Sequence, residues 1–333
     1  MGENPVNSIS IFVNSIFIFF KLLVAAFIGL WPNRDFEISQ IPVENPSPAM
    51  VAKLQEFEES FIYPFSDQEE FTIRHGLKGD YFAFFKALGT PYYYVATAKQ
   101  DKTVTKKIRG QEVAVQQKAG DIAAAVCWVL RDLEDKDNNP LCAWYICDLK
   151  VGEKYQGEHL PTMMIKKVGL PRFVQCPRGF AICMNPMSGE PRAASIFKKH
   201  GPIPDMKIDT LNLYNLSAAE ASKYKSALEE SYKQHGYMSQ AQSLGMISTT
   251  GTKNYVIKNK VSGQTRPWKL LHIKPGVAHY NPQEGATHMV CAVEGSALDV
   301  DFKKLLGKPS STAQILSYGM DNVDFNFLTS DQI

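Results

Sequence analysis

At several places residues able to do chemistry lie close together. Cys147 and Asp148 precede His159, a set that suggests a thiol nucleophile beside a base. Cys147, however, ends the apolar run "AWYIC", the setting of a buried core thiol rather than an activated one. Cys291 lies near His288 in the strand-like "THMVCAVEG", and a Cys/His hydrolase is the enzyme class that pair would serve. His272, His279, His288 and Glu284 are of metal-ligand type, yet spacings of seven and nine between the histidines match no zinc pattern, and no metal is expected. The basic stretches "VTKKIRG" and "IFKKHG" read as solvated faces.

Composition narrows the class. The chain has 333 residues with 36 Lys plus Arg against 34 Asp plus Glu, a net charge of +2, so no nucleic-acid partner is expected. At 44% hydrophobic and 11% aromatic it builds a large core and is not a disordered chain. Six cysteines without a CxxC pair read as free thiols in a reducing compartment, which implies a cytoplasmic protein. Residues 9–31 are apolar and long enough to cross a hydrocarbon layer of roughly 30 Å. They are a candidate membrane anchor, despite Lys21 near the middle; a helix packed on protein is the alternative. Val6 stands where N-terminal acylation at Gly2 would need Ser or Thr.

The elements that must position the polar groups follow in order. Residues 32–49 hold four prolines and read as a linker, and 50–62 as a short helix. "EEFTIRHG" alternates as a strand, and Asp80 caps a helix over "YFAFFKAL" that Gly89 ends. "PYYYVATAK" and "VTKKIRGQEVAVQQKAGD" are rich in strand formers, with turns at Gly110 and Gly120. The apolar runs "IAAAVCWVLRDL" and "LCAWYICDLKV" make an antiparallel pair about "EDKDNNP". A short helix runs from Pro161 to Val168 with Gly169 as its stop, then a strand at "GFAICMNP" and a helix at "GEPRAASIFKKHG". After residue 207 the alternation resumes with "KIDTLNLYNL" and a helix opened by a Ser217–Glu220 capping box. Five strand candidates and a final "VDFNFL" close the chain. The expected fold class is α+β: a mixed, mostly antiparallel sheet flanked by helices over residues 50–206, with a second α+β unit over 207–333.

The order of elements in residues 69–203, with "CDLKVGEKYQGEHLPTMMIKK" at its centre, resembles the GCN5-related N-acetyltransferase superfamily. In that family a splayed fourth strand binds the pantetheine arm of acetyl-CoA, and the next turn and helix N-terminus hold the pyrophosphate. The resemblance makes Leu149, Lys150 and Val151 the splayed strand end, and Tyr155-Gln156-Gly157 the start of the pyrophosphate loop. The loop of the family continues with two further small residues, where this chain has His159 and Pro161. The family's terminal signature is weakened too: Phe197 replaces a tyrosine that protonates the leaving thiolate, and Pro202 replaces a closing Phe.

What the resemblance implies is transfer of an acetyl or other acyl group from acetyl-CoA or another acyl-CoA to an amine acceptor, a small molecule or a protein. The expected donor contacts are Leu149, Lys150, Val151, Gln156, Gly157, Glu158, His159, Leu160, Thr162 and Asn185. The Val151 amide would polarise the carbonyl, Asp148 would be the base, and Tyr155 a substitute proton donor. A non-catalytic acyl-CoA-sensing or protein-interaction domain is the alternative. Residues 207–333 are either a degenerate second copy of the same fold or an unrelated accessory unit.

Overall fold

The computed structural model describes residues 35–77, 79–108, 111–185 and 206–333. The apolar segment 9–31, Gly110, the helix expected over 189–201 with Phe197, and Pro202 lie outside the described residues. No helix among the described residues is long and apolar enough to cross a membrane.

The architecture is α+β. Its centre is a ten-stranded, mostly antiparallel sheet ordered β1-β4-β7-β8-β9-β16-β10-β15-β14-β11. From the first part of the chain come β1 (Phe36–Ile41), β4 (Thr90–Ala98), β7 (Ile122–Glu134), β8 (Pro140–Val151) and β9 (Gly179–Met184). From the second come β10 (Lys207–Leu216), β11 (Leu244–Ser248), β14 (Leu270–Pro275), β15 (Thr287–Val293) and β16 (Ser311–Tyr318). The last strand, β16, inserts between β9 and β10 and joins the two parts into one sheet. Two neighbouring pairs are parallel, β8 with β9 and β14 with β15.

A smaller sheet, ordered β13-β12-β3-β2, also mixes the two parts: β3 (Glu69–His75) pairs with β12 (Lys253–Asn259), flanked by β2 (Tyr63–Pro64) and β13 (Thr265–Trp268). The hairpin β5 (Lys102–Ile108) with β6 (Gln111–Gln117) stands apart from both.

Helices cover both faces of the main sheet. On one, α1 (Pro48–Glu59) and α2 (Ala83–Leu88) pack Leu54, Phe57, Phe84 and Phe85 onto Tyr93, Val129, Tyr145 and Ile315. This core crosses from β1 to β15 and is the largest among the described residues. On the other face, α3 (Leu160–Gln175) buries Leu160, Met164 and Val168 against Ala124, Val126, Trp128 and Trp144. Further along that sheet α4 (Ala218–Gln234) and α5 (Ala297–Leu306) bury Leu228, Tyr232, Leu298 and Phe302 against Tyr214 and Val290. The strand β7, whose burial runs unbroken from Ile122 to Val129, reads as continuous apolar sequence because both of its faces are covered.

Four local expectations are corrected. Residues 36–41, expected in a linker, form edge strand β1: Phe36 and Ile41 are buried at its ends, and the neighbouring prolines lie outside it. The helix after the loop does not stop at Gly169 but runs through Pro171 to Gln175. Proline removes a backbone donor here, and the last turn is held by the cap bond from Cys176 N to Arg172 O at 2.9 Å and by one tertiary bond, Trp144 Nε1 donating to the same carbonyl at 2.7 Å. "VDFNFL" is not a strand. Val323, Phe325 and Leu328 are buried, but tight turns deliver them, with Phe325 at φ 56°. Helix α5 was not anticipated, although Ser296 caps it by accepting from Asp299 N.

Candidate active site

The site begins where β8 leaves β9. These strands pair only at Trp144↔Gly179, Tyr145↔Phe180 and Ile146↔Ala181. On its other side β8 stays paired with β7 as far as Ala124↔Val151. Among the described residues, then, no strand covers the β9-facing edge of Cys147–Val151. Backbone amides alternate in direction along a strand. Gly152 N donates to Ala123 O of β7 at 2.9 Å, and alternation therefore puts the Val151 amide on the uncovered side.

A β-bulge lies within this segment. Between Ala125↔Lys150 and Cys127↔Cys147 a single residue of β7, Val126, faces two of β8, Asp148 and Leu149. Asp148 takes φ 53°, left-handed backbone that a non-glycine residue adopts at a cost. Leu149 then packs toward α3, while Asp148 and Lys150 turn to the α1 side.

After Val151 a 3-10 turn (Glu153–Tyr155) leads to Gly157 at φ 87° and His159 at φ 56°, and the chain reverses into α3. His159 provides no side-chain cap. The first-turn amides of a helix have no intrahelical acceptor and attract anions. Pro161 removes one such donor, and Leu160 is fully buried, while Gln156, Gly157 and His159 are exposed and Thr162 half-buried.

The loop is propped from beneath by the β5–β6 hairpin. Lys106 Nζ donates to Gln156 O at 2.7 Å and pairs with Glu158 at 3.1 Å; Gln117 Nε2 donates to Lys154 O at 2.9 Å. Tyr155 is buried against Phe36, and its hydroxyl donates to Asp121 Oδ2 at 2.9 Å. Burial and the Asp121 carboxylate together push this phenol far above its ordinary range. Tyr155, expected from the sequence as a substitute proton donor, has its hydroxyl engaged with Asp121 and anchors the loop. Glu158 is likewise held by Lys106.

Asp148, expected as a base, is held in a buried ionic network. Its carboxylate receives Tyr93 OH at 2.7 Å and Lys150 Nζ at 2.6 Å. Lys150 Nζ also meets Glu58 Oε1 at 2.9 Å, and His75 Nδ1 lies 2.5 Å from the same oxygen. Lys150 is therefore turned away from the open edge where a donor contact was expected. Burial alone would raise the Glu58 carboxyl, but the hydrogen bond from His75 and the charges of His75 and Lys150 outweigh it and hold it at about 2. Burial would lower the Lys150 ammonium; the Asp148 and Glu58 carboxylates overcome this and hold it well above its usual range. Glu58, His75 and Asp148 have metal-ligand geometry, each offering an atom within 4.8 Å of the others, but the Lys150 ammonium is the cation bound to Glu58 and Asp148. Sequence reasoning missed Glu58, His75 and Tyr93. No short spacing joins them, since Glu58 is 92 positions from Lys150.

Asn185 follows β9. Its Nδ2 donates to Thr312 Oγ1 at 2.7 Å and its backbone amide to Thr312 O at 2.9 Å.

The other sequence candidates lie apart. Cys291 and His288 point to opposite faces of β15: Cys291 Sγ lies 3.6 Å from Leu328 O, whereas His288 is bonded to Gln283 N and Leu216 O. No Cys/His dyad forms from this pair. His272 bonds through Nδ1 to Ser330 Oγ at 3.0 Å and not to His288. Cys147 lies beside Cys127 and packs in the core, as its apolar run implies.

No protein-family model and no curated protein matches the chain. Among solved structures it is similar to Saccharomyces cerevisiae N-myristoyltransferase with bound myristoyl-CoA, at 9% identity and a TM-score of 0.45, over 89% of this chain and 85% of that one. A probable N-acyltransferase from Enterococcus faecalis is similar at 8% identity and a TM-score of 0.35, over 85% of this chain and 71% of that one. A GCN5-related N-acetyltransferase from Kribbella flavida is similar at 8% identity and a TM-score of 0.36, over 85% and 70%. The forked parallel strand pair and the helix that follows it without a side-chain cap match the splayed strand and helix start that the sequence resemblance led to expect.

Proposed function

We propose that this chain transfers an acyl group from an acyl-CoA to an amine. The observation that carries the reading is the divergence of β8 from β9 after Ile146, which leaves a strand edge without a paired strand among the described residues, one turn and loop before a helix that has no side-chain cap. A pantetheine arm supplies amide donors and acceptors suited to such an edge, and a diphosphate suits helix amides. Leu149–Val151 would hold the arm, and Gln156, Gly157, His159 and Thr162 would surround the pyrophosphate. Asn185, at the far side of the fork, would complete the contacts.

The chemistry is direct. The amine nitrogen attacks the thioester carbonyl carbon, a C–N bond forms, the C–S bond breaks, and the amine gives up a proton as the departing thiolate gains one. The protein contributes orientation, and the Val151 amide polarises the carbonyl.

Calorimetric titration of the full chain with acyl-CoA thioesters, from acetyl to long-chain, tests the donor site. Micromolar binding supports it, and a folded protein that binds none of them refutes it. Mass spectrometry with amine acceptors then separates the enzyme from the alternative, an acyl-CoA sensor, which would bind donor and release no product.

A further inference from the structure

Two of the buried ions beneath the fork, Asp148 and Lys150, belong to the open edge itself, and the network surrounds the one residue of β8 whose backbone is left-handed. Asp148 at φ 53° is the first of the two bulge residues and lies within the uncovered edge Cys147–Val151. A left-handed aspartate is tolerated but not favoured, so something must hold it there. Both of its carboxylate oxygens are engaged, Oδ2 by Tyr93 of β4 and Oδ1 by Lys150, two residues along the same strand. Lys150 is tied in turn to Glu58 of α1. Glu58 accepts from the His75 backbone amide at 2.9 Å as well as meeting its ring, which fixes α1 to β3. The clamp thereby joins three separate elements to two residues of β8, Asp148 and Lys150.

We propose that Asp148 is a positioning residue, locked by Tyr93 and by the Lys150–Glu58–His75 chain so that the bulge aims the edge-facing backbone groups of Leu149 and Val151 into the fork. The inference rests on the donor site proposed above. It accounts for an aspartate beside the reaction centre whose carboxylate is unavailable as a base. It also accounts for Lys150 turning inward.

The discriminating experiment compares Asp148→Asn, Asp148→Gly and Asp148→Ala in the full chain. Glycine and alanine both lose every side-chain contact, but only glycine adopts left-handed backbone without cost. Hydrogen exchange of the 147–152 amides in the unliganded protein reads the clamp directly, whatever the protein binds. Exchange in Asp148→Asn is expected to stay near that of the wild type, because asparagine tolerates the backbone and keeps an acceptor for Tyr93. Exchange in Asp148→Ala should exceed that in Asp148→Gly by about tenfold. Acetyl-CoA titrations of the same folded proteins should rank in the same order, with Asp148→Ala about tenfold weaker than Asp148→Gly. Equal exchange in Asp148→Gly and Asp148→Ala overturns the inference, since a purely ionic role cannot tell them apart. The expected exchange ranking without acetyl-CoA binding by the wild type upholds the clamp and removes the donor reading instead.

Discussion

Gly179 faces Trp144 at the start of the short β8–β9 ladder, so close that a Cβ on Gly179 would sit 3.1 Å from Trp144 O. That carbonyl belongs to the short parallel ladder and has little freedom to retreat, while Trp144 itself is packed under Arg172 and beside Trp128. Gly179→Val should therefore push β8 and β9 apart where they must stay joined. The expected cost is about 1–3 kcal/mol, the usual range for overpacking. Urea denaturation measures it, and an unchanged midpoint would show that the ladder yields.

Thr162 lies in the first turn of α3, where a glutamate favours the helix and repels an anionic ligand. Thr162→Glu is expected to keep or raise the thermal midpoint while weakening acyl-CoA binding by about tenfold, a loss of roughly 1.4 kcal/mol. The opposite signs separate ligand repulsion from damage to the fold. Unaltered affinity would place the diphosphate elsewhere.

Tyr155→Phe removes a hydroxyl bonded to Asp121 and leaves the ring in place. Stability should fall by about 1 kcal/mol. The turnover of bound donor, followed by mass spectrometry, should persist. Loss of turnover with retained binding would restore Tyr155 as a proton donor and contradict the anchoring role.

His272 is buried, and its burial, aided by Lys253 and Lys274, lowers its pKa from 6.5 to about 4 against the opposing pull of Asp331. Between those values the unfolded chain binds a proton that the folded one refuses, so stability rises with pH across this window. The contribution is complete above about pH 6.5 and is lost as pH falls toward 4. His272→Gln should flatten the dependence of the urea midpoint on pH between 6.5 and 4. An identical slope in both proteins would show that His272 titrates normally.

Elements with local signatures were legible in the sequence. The Ser217–Glu220 box appears with both reciprocal bonds, Glu220 N donating to Ser217 Oγ and Ser217 N to Glu220 Oε2, because each partner lies within one helical turn. The β7–β8 hairpin about "EDKDNNP" and the strand at "KNYVIKN" follow from alternation and turn residues in the same way. What was hidden depends on long-range geometry. Strand β3 finds its partner β12 some 180 positions away, and no local pattern encodes that choice. Phe325 and Phe327 alternate as a strand would, but the core captures them from turns. At the site, the loop from Tyr155 to Pro161 announced a glycine turn and a helix start. The left-handed Asp148 was invisible, because its cause lies in Glu58, His75 and Tyr93 on three other elements.

On the proposed function, the strand edge from Cys147 to Val151 and the first turn of α3 form one donor site. Hydrogen–deuterium exchange of the full chain, with and without saturating acyl-CoA, tests it most directly. Peptides covering 147–152 and 156–163 should both gain protection, with the β5–β6 hairpin and α4 unchanged. Protection confined to other segments, with these two exchanging at the same rate in both samples, would contradict it.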